Sequence, residues 1–396
     1  MDPSDRVKIM MRFADLIEEN ADELATIEAI NNGKPQWLAK VADLTMTHRC
    51  MRYYAGWIEK IRGEVINMDG PFFAYTRKEP VGVAGQIIPW NFPLAMVSWK
   101  LGPSLAAGCT VVLKTAEQTP LSALRLAELI QEAGFPPGVV NIVSGYGDIG
   151  AYLARHPGIE KVAFTGSTEV GYDLMRNSHV SNIKRVTLEL GGKSANIITK
   201  NANIETALSQ ASFGLFFNAG QCCNAASRTY VHSSHYEEFV ARSAENVKKI
   251  KLGDPLDPTT EQGPLVSKDQ YDRVMGYIEK GVKEGARLVS GGKRHGSKGY
   301  FVEPTVFADV TQNMTIAREE IFGPVMCVLK YENNEDVIKQ ANDSSYGLAA
   351  GVVSEDPSEL QYFIDKFKAG TVYANCWGVL APVAPFGGYK DSGVGR

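Results

Sequence analysis

At 396 residues, 44% of them hydrophobic, the chain is long enough for two or three domains with buried cores. Its formal charge of −4 comes from interleaved acids and bases with no long basic run, which excludes an electrostatic footprint for nucleic acid. The most apolar region, 81–113, is broken by Gln86, Asn91, Lys100 and several prolines and glycines, so it falls short of the roughly 20 apolar residues that span a membrane.

The opening "MDPSDRVKIMMRF" lacks the basic-then-apolar order of a signal peptide. Six cysteines (50, 109, 222, 223, 327 and 376), with no C-x-x-C pair, make neither a disulfide framework nor a zinc ribbon. A soluble cytoplasmic protein is expected, with a mitochondrial location as the alternative, and without a metal site, a nucleic-acid partner or a membrane anchor.

Asp2 and Pro3 supply an N-cap and a first helical residue. Ile9, Phe13, Leu16 and Ile17 then share one face of an amphipathic helix. "NNGKP" at 31–35 is a helix stop, and a second helical stretch is predicted from about 37 to 61. "GEVINMDGPFFAYTRKEP" alternates at period two about Asp-Gly-Pro, the pattern of a hairpin.

From Val81, short apolar runs ("VGVAGQII", "TVVLK", "VVNIV", "KVAFT", "RVTLEL", "NIIT") follow one another, the earlier ones separated by helical segments. Strands without polar alternation predict a parallel sheet covered on both faces, an α/β Rossmann-like arrangement. The second half repeats the theme, with helices at about 203–217 and 235–250 and a Pro-rich loop, "DPLDPTTEQGP". The break after "ELGGKS" is the expected domain boundary. His232 and His235 have no third ligand nearby and fit a strand-to-helix junction better than a metal site.

Two loops could meet a dinucleotide. "VVNIVSGYGDIGAYLARH" holds Gly145, Gly147 and Gly150 in G-x-G-x-x-G spacing, with Glu169 about 20 residues beyond, although a glycine-eased turn explains the same residues. In "AFTGSTEVG" a strand runs into Gly166 and Ser167 and a helix starts at once, offering free N–H groups to a pyrophosphate. Lys114 and Glu117, at the end of "TVVLK", could grip a ribose diol or form only a solvated ion pair. A carboxylate on the 2′-hydroxyl would repel a 2′-phosphate and so favour NAD over NADP.

"NAGQCCNAASR" places Cys222 and Cys223 side by side. Neighbouring residues make a strained disulfide, and the segment has too few ligands for a metal. The loop is too polar, and too loosened by its glycine, for packing to explain both thiols comfortably, so a nucleophile is favoured. Asn91, in the Pro-bounded "PWNFP", could donate to an oxyanion or simply shape a turn. Glu189 ends the apolar strand of "TLELGGK", where desolvation would raise its pKa toward that of a general base; capping the Gly-Gly turn is its structural alternative.

Taken together and in this order, "PWNFP", "FTGSTEVG", "TLELGGKS", "FFNAGQCC" and "EEIFGPV" resemble the aldehyde dehydrogenase superfamily over essentially the whole chain, and most of all its class 1 and class 2 NAD-dependent branch. The resemblance implies a Rossmann-like parallel-sheet cofactor domain (1–61 and 80–191), an α/β catalytic domain (192–391) and a protruding oligomerisation hairpin (62–79). It makes Cys223 the nucleophile, Cys222 its inactive neighbour, Asn91 the oxyanion asparagine and Glu189 the general base.

The implied NAD site takes in Ile88, Pro89 and Trp90, with Lys114 and Glu117 at the adenosine ribose and Gly147 and Gly150 in the cofactor loop. It continues through Phe164, Thr165, Gly166, Ser167 and Val170 around the pyrophosphate helix. Leu190, Gln270, Glu320 and Phe322 complete it, the last two at the nicotinamide ribose and ring. By the same resemblance the family does not use Gly147 and Gly150 as a standard fingerprint. Arg273 stands where close relatives have lysine. The implied aldehyde tunnel contains Phe92, Met96, Trp99, Phe217, Leu380 and Phe386, a lining suited to apolar aldehydes. Leu380 replaces an aromatic of the class 2 branch, which widens the entrance.

The implied reaction adds Cys223 thiolate to a small-molecule aldehyde, passes hydride to NAD and leaves a thioester, which water activated by Glu189 releases as the acid. A base poised to activate water favours hydrolysis over transfer to coenzyme A. Met1 falls where relatives have an internal residue, and "SGVGR" precedes the family's last helix and strand. In relatives that strand pairs with a neighbouring subunit's hairpin, so the family's homo-dimer or tetramer is not assured by this stretch. A catalytically silent, crystallin-like relative would show damage at Cys223, Glu189 or Asn91, and all three are intact. A cysteine acyl-transferase or amidase would need neither the Lys114–Glu117 pair nor the Ser167 helix start.

Overall fold

The computed structural model describes residues 1–396. The first helix, Pro3–Glu19, buries Met10, Phe13, Ala14, Leu16 and Ile17 along one stripe. Asp2 occupies its N-cap, but the side chain makes no capping bond, so Pro3 is the element of the start signal that acts. Gly33, at φ +90°, ends the next helix, Ala21–Asn32, in the left-handed conformation that glycine adopts without strain.

The single helix predicted for 37–61 is in fact broken. Gln36–Leu38 leads into a π-helical turn over Ala39–Leu44, then an α-helix over Thr45–Ala55 and a 3₁₀ turn at Ile58–Lys60. Within the wide turn Asp43 meets Lys34 at 2.6 Å, with both side chains fully buried. Hydrophobic periodicity carries no signal for such a buried charge pair.

The first sheet has six strands in the order Gly393–Val394, Arg185–Glu189, Lys161–Thr165, Val83–Ile87, Thr110–Lys114 and Val140–Val143. All neighbours are parallel except the first pair. Helices Pro93–Ala106, Leu121–Glu132, Gly147–Arg155 and Thr168–Ser178 make the crossovers. The chain winds outward from Val83–Ile87 through two strands and then returns to Lys161–Thr165 on the other side. The crevice above the carboxyl ends of these two strands is therefore a topological switch point, the usual place for a ligand in such sheets.

The second sheet runs Arg287–Ser290, Thr305–Ala308, Val325–Tyr331, Arg228–His232, Ala195–Ile198, Ala349–Val353 and Thr371–Ala374, parallel except for its first pair. Separate apolar cores cover the two faces of each sheet. The short link 190–194 joins the two sheets, running from Glu189 at the carboxyl end of a first-sheet strand to Ala195 at the start of a second-sheet strand.

The hairpin of 62–79 is reduced to two two-residue strands, Val65–Ile66 and Ala74–Tyr75, with Phe72 and Phe73 exposed at 71% and 78%. The terminal strand Gly393–Val394, unforeseen in the sequence, returns antiparallel to Glu189 and Leu188. No helix is long and apolar enough to cross a membrane.

Candidate active site

Strand register assembles the first half of the site. Ile87 pairs with Lys114 and Phe164, Lys114 with Val143, and Thr165 with Glu189, so these residues share one edge of the first sheet. Lys114 is buried and donates to Thr115 O at 2.9 Å, with the Glu117 carboxylate 3.9 Å away. Burial lowers the Lys114 pKa, with Glu117 and Asp148 opposing. Ser167 is the N-cap of Thr168–Ser178, and its hydroxyl accepts from Val170 N at 3.3 Å. Gly171 N donates to Ser167 O, which leaves the Thr168 and Glu169 amides without acceptors at the helix start. A Cβ on Gly147 would meet open space. A helix start with free donors, beside a lysine–carboxylate pair at a switch point, fits a dinucleotide.

The second half is the cysteine loop. Asn218, Ala219 and Gly220 are consecutive left-handed residues at φ 50°, 54° and 72°, and they turn the chain sharply before Gln221. A Cβ on Gly220 would lie 2.1 Å from Gly323 O, so the loop rests directly on the "EEIFGP" segment. Cys222 points into the apolar core and donates weakly to Phe217 O at 3.6 Å; burial pushes its thiol pKa up to about 12. Cys223 is half-buried. Burial, and then the charge of Glu189, push its pKa well above the usual thiol range. Cys223 is therefore held as a thiol, whose ionisation needs a proton acceptor.

Glu189 is that neighbour. Burial raises its pKa to about 7, opposed by the contact with Cys223 and the charge of Lys100. The thiol is close enough to influence this carboxyl group, yet neither Glu189 oxygen completes a hydrogen bond. Lys100, visible in the sequence only as a break in an apolar stretch, donates to Thr165 Oγ1 at 2.8 Å, and burial lowers its pKa to about 8.

Asn91 is buried and donates through Nδ2 to Gln221 O at 2.9 Å. Its second amide hydrogen has no acceptor, nor does the Cys223 backbone N–H. Two glycines close the site. A Cβ on Gly192 would sit 2.4 Å from Cys223 O, and one on Gly191 would sit 2.4 Å from Glu320 Oε2. Glu320 accepts from Gly192 N at 2.9 Å, and burial raises its pKa to about 7.

Phe322, at φ 60°, packs edge-on to Trp90 with centroids 5.2 Å apart. Gln270, in the first turn of Lys268–Lys283, donates to Phe322 O at 2.7 Å, and Arg273 donates to Glu320 O at 2.8 Å. Both therefore brace the 320–322 segment. Ile88 and Leu190 are buried, Pro89 is half-buried and Val170 is exposed. Gly150 approaches the Lys114 side chain, where a Cβ would make an ordinary contact at 3.7 Å.

Of the residues expected to line an aldehyde tunnel, Phe92 stacks on Phe217 at 6.0 Å, and Phe217 contacts Phe213 at 5.2 Å. Trp99 meets Phe386 edge-on at 5.6 Å. Met96 is nearly buried in the core against which Phe92 and Trp99 pack, and Leu380 is half-buried. Ser392 carries no signal in the sequence that would mark it. It donates to Gly191 O at 2.6 Å, accepts from Gly347 N at 3.0 Å and, through its carbonyl, accepts from Leu190 N. His232 and His235 bond to Ser234 and the Lys200 carbonyl at a strand-to-helix junction.

A partly exposed cysteine, a desolvated carboxyl group and a dinucleotide-type crevice define the class: an α/β protein equipped for covalent thiol chemistry beside a nucleotide. The Aldehyde dehydrogenase family matches residues 1–396, and the chain belongs to that family. It is 55% identical to the rat (Rattus norvegicus) protein "Aldehyde dehydrogenase, mitochondrial", over 100% of this chain and 76% of that one. It is 54% identical to mouse (Mus musculus) "Retinal dehydrogenase 2", over 100% of this chain and 77% of that one. The NAD+ complex of aldehyde dehydrogenase from Bacillus cereus superposes with a TM-score of 0.99 at 53% identity, covering 100% of this chain and 81% of that one.

Proposed function

We propose that the protein is an NAD-dependent aldehyde dehydrogenase that oxidises an aldehyde to the carboxylic acid through a covalent bond to Cys223. The observation that carries the reading is the pair of unclaimed donors, the second Asn91 amide hydrogen and the Cys223 N–H, beside a thiol facing an unpaired buried carboxyl group. The Cys223 thiol passes its proton to Glu189, which releases it to solvent, and the thiolate forms a C–S bond as the carbonyl π pair moves onto oxygen. Those two donors hold the oxyanion, an arrangement worth on the order of 10² to 10³ in rate per donor. NAD, when bound, supplies the hydride acceptor that turns the thiohemiacetal into a thioester. Glu189, with its pKa raised to about 7, then takes a proton from water as the water attacks that thioester.

Lys114 and Glu117 would hold the adenosine ribose, and the free amides of Thr168 and Glu169 would receive the pyrophosphate. Glu320 and Phe322, braced by Gln270 and Arg273, would hold the nicotinamide ribose and ring. Residues 1–61 and 80–191 form the cofactor-binding part, and 192–391 the catalytic part. The aromatic lining of Phe92, Trp99, Phe217 and Phe386 suits an apolar aldehyde. The exposure of Phe72 and Phe73 supports a role for the 62–79 hairpin in subunit contact. Six free cysteines suit the reducing cytoplasm. NADH absorbance with propanal tests the central assignment. The native protein is expected to turn over and Cys223→Ala to be inactive; oxidation by the alanine variant at the native rate would refute the nucleophile.

A further inference from the structure

The turn that the sequence offered only as a helix stop holds the Asn91 loop from behind. Asn32 Nδ2 donates to Trp90 O at 2.7 Å and to Asn91 O at 3.1 Å, while its Oδ1 accepts from Lys34 N at 3.2 Å. The Lys34 ammonium, fixed by Asp43 at 2.6 Å, lies 4.0 Å from the centroid of the Phe92 ring. Glu28 accepts from Leu94 N at 3.3 Å through one oxygen and from Ser122 Oγ at 2.5 Å through the other. Pro93 has no N–H to offer. Each of the other four residues in 90–94 is thus held by a buried side chain of the 28–34 segment.

The grip also crosses to the nucleophile. The Asn91 carbonyl oxygen accepts from Asn32 Nδ2 on one side and from Asn218 Nδ2, at 3.1 Å, on the other. The Asn91 side chain in turn donates to Gln221 O, next to the cysteines. One peptide oxygen therefore ties the helix end at 32 to the loop that carries Cys223.

We propose that Asn32 is a positioning residue for oxyanion binding. Its amide fixes the Asn91 backbone, and with it the Asn91 side-chain amide whose second hydrogen is free to bind the oxyanion. The inference rests on the assignment of Asn91 as the oxyanion donor. Such donors work only when held to within about 0.5 Å of the productive geometry by their supporting residues. Removing the Asn32 amide takes the side-chain donor from Trp90 O, leaves Asn91 O with Asn218 alone and frees the loop to drift.

A double-mutant cycle on the full chain separates positioning from plain stability. Asn32→Ala, Asn91→Ala and the double variant are compared by kcat/KM for propanal, with NAD affinity followed by fluorescence titration. Asn91→Ala is expected to lose on the order of 10²-fold, as for removal of one oxyanion donor. Asn32→Ala should lose about 10- to 100-fold, with NAD affinity within about twofold of native, and the double variant should be no worse than Asn91→Ala alone. Should Asn32→Ala not fold, Asn32→Asp, isosteric but without the amide donor, serves in the same cycle.

Native kcat/KM in the Asn32 variant, or losses that multiply in the double variant, would overturn the positioning role. Native kcat/KM in Asn91→Ala would instead overturn the oxyanion assignment beneath it.

Discussion

Cys222 and Cys223 are chemically identical in sequence and opposite in situation. One faces an apolar core and a backbone carbonyl; the other faces Glu189. Residue chemistry favours a nucleophile in this loop, but the choice between the two thiols comes only from the family resemblance, because the left-handed turn at 218–220 that aims them leaves no periodic trace. Glu189 is legible as the polar end of a buried strand, and its desolvation follows from that position. Its raised pKa makes a signed prediction. In the proposed mechanism the carboxylate is the active base, so thioester hydrolysis should rise with pH through about 7 in the native protein. Glu189→Gln should slow hydrolysis by about 10² or more and abolish that limb in a single-turnover deacylation assay. A limb of the same midpoint in the glutamine variant would assign the titration to another group.

The elements that position the site are unevenly legible. Parallel strands alternating with helices are written in apolar runs, and the crevice at their carboxyl ends follows from that topology. The π-helical turn with the buried Lys34–Asp43 pair, and the terminal strand that brings Ser392 onto Gly191, depend on specific tertiary contacts, which local patterns do not record. The "ELGG" turn shows why both glycines are needed. Neither requires a left-handed φ; each lies too close to a neighbour for a side chain. Gly192→Ala would drive a methyl group to within 2.4 Å of Cys223 O. It should reduce turnover at least about tenfold and destabilise the fold by about 1–3 kcal/mol, the usual cost of overpacking. Native turnover in this variant would show that the cysteine loop is not seated against the turn as described.

Across the whole molecule, three buried carboxyl groups, Glu28, Glu189 and Glu320, have pKa values raised to about 7, each chiefly by burial. Between the unfolded value near 4.5 and about 7 the folded state binds more protons than the unfolded one, so stability falls as pH rises through that window. The urea midpoint should therefore be higher at about pH 5 than at about pH 7.5, and the Glu28→Gln/Glu320→Gln double variant should flatten the difference. A midpoint that climbs over this range would mean that these groups are ionised when folded.

The most direct test of the whole account is the site of acylation. The native protein is mixed with propanal and NAD, quenched in acid within the first turnover and digested, and the adduct is located by fragmentation mass spectrometry. The account predicts a propionyl thioester on Cys223 that forms only when NAD is present and is absent from Cys223→Ala. An adduct confined to Cys222, Cys376 or another side chain would contradict it.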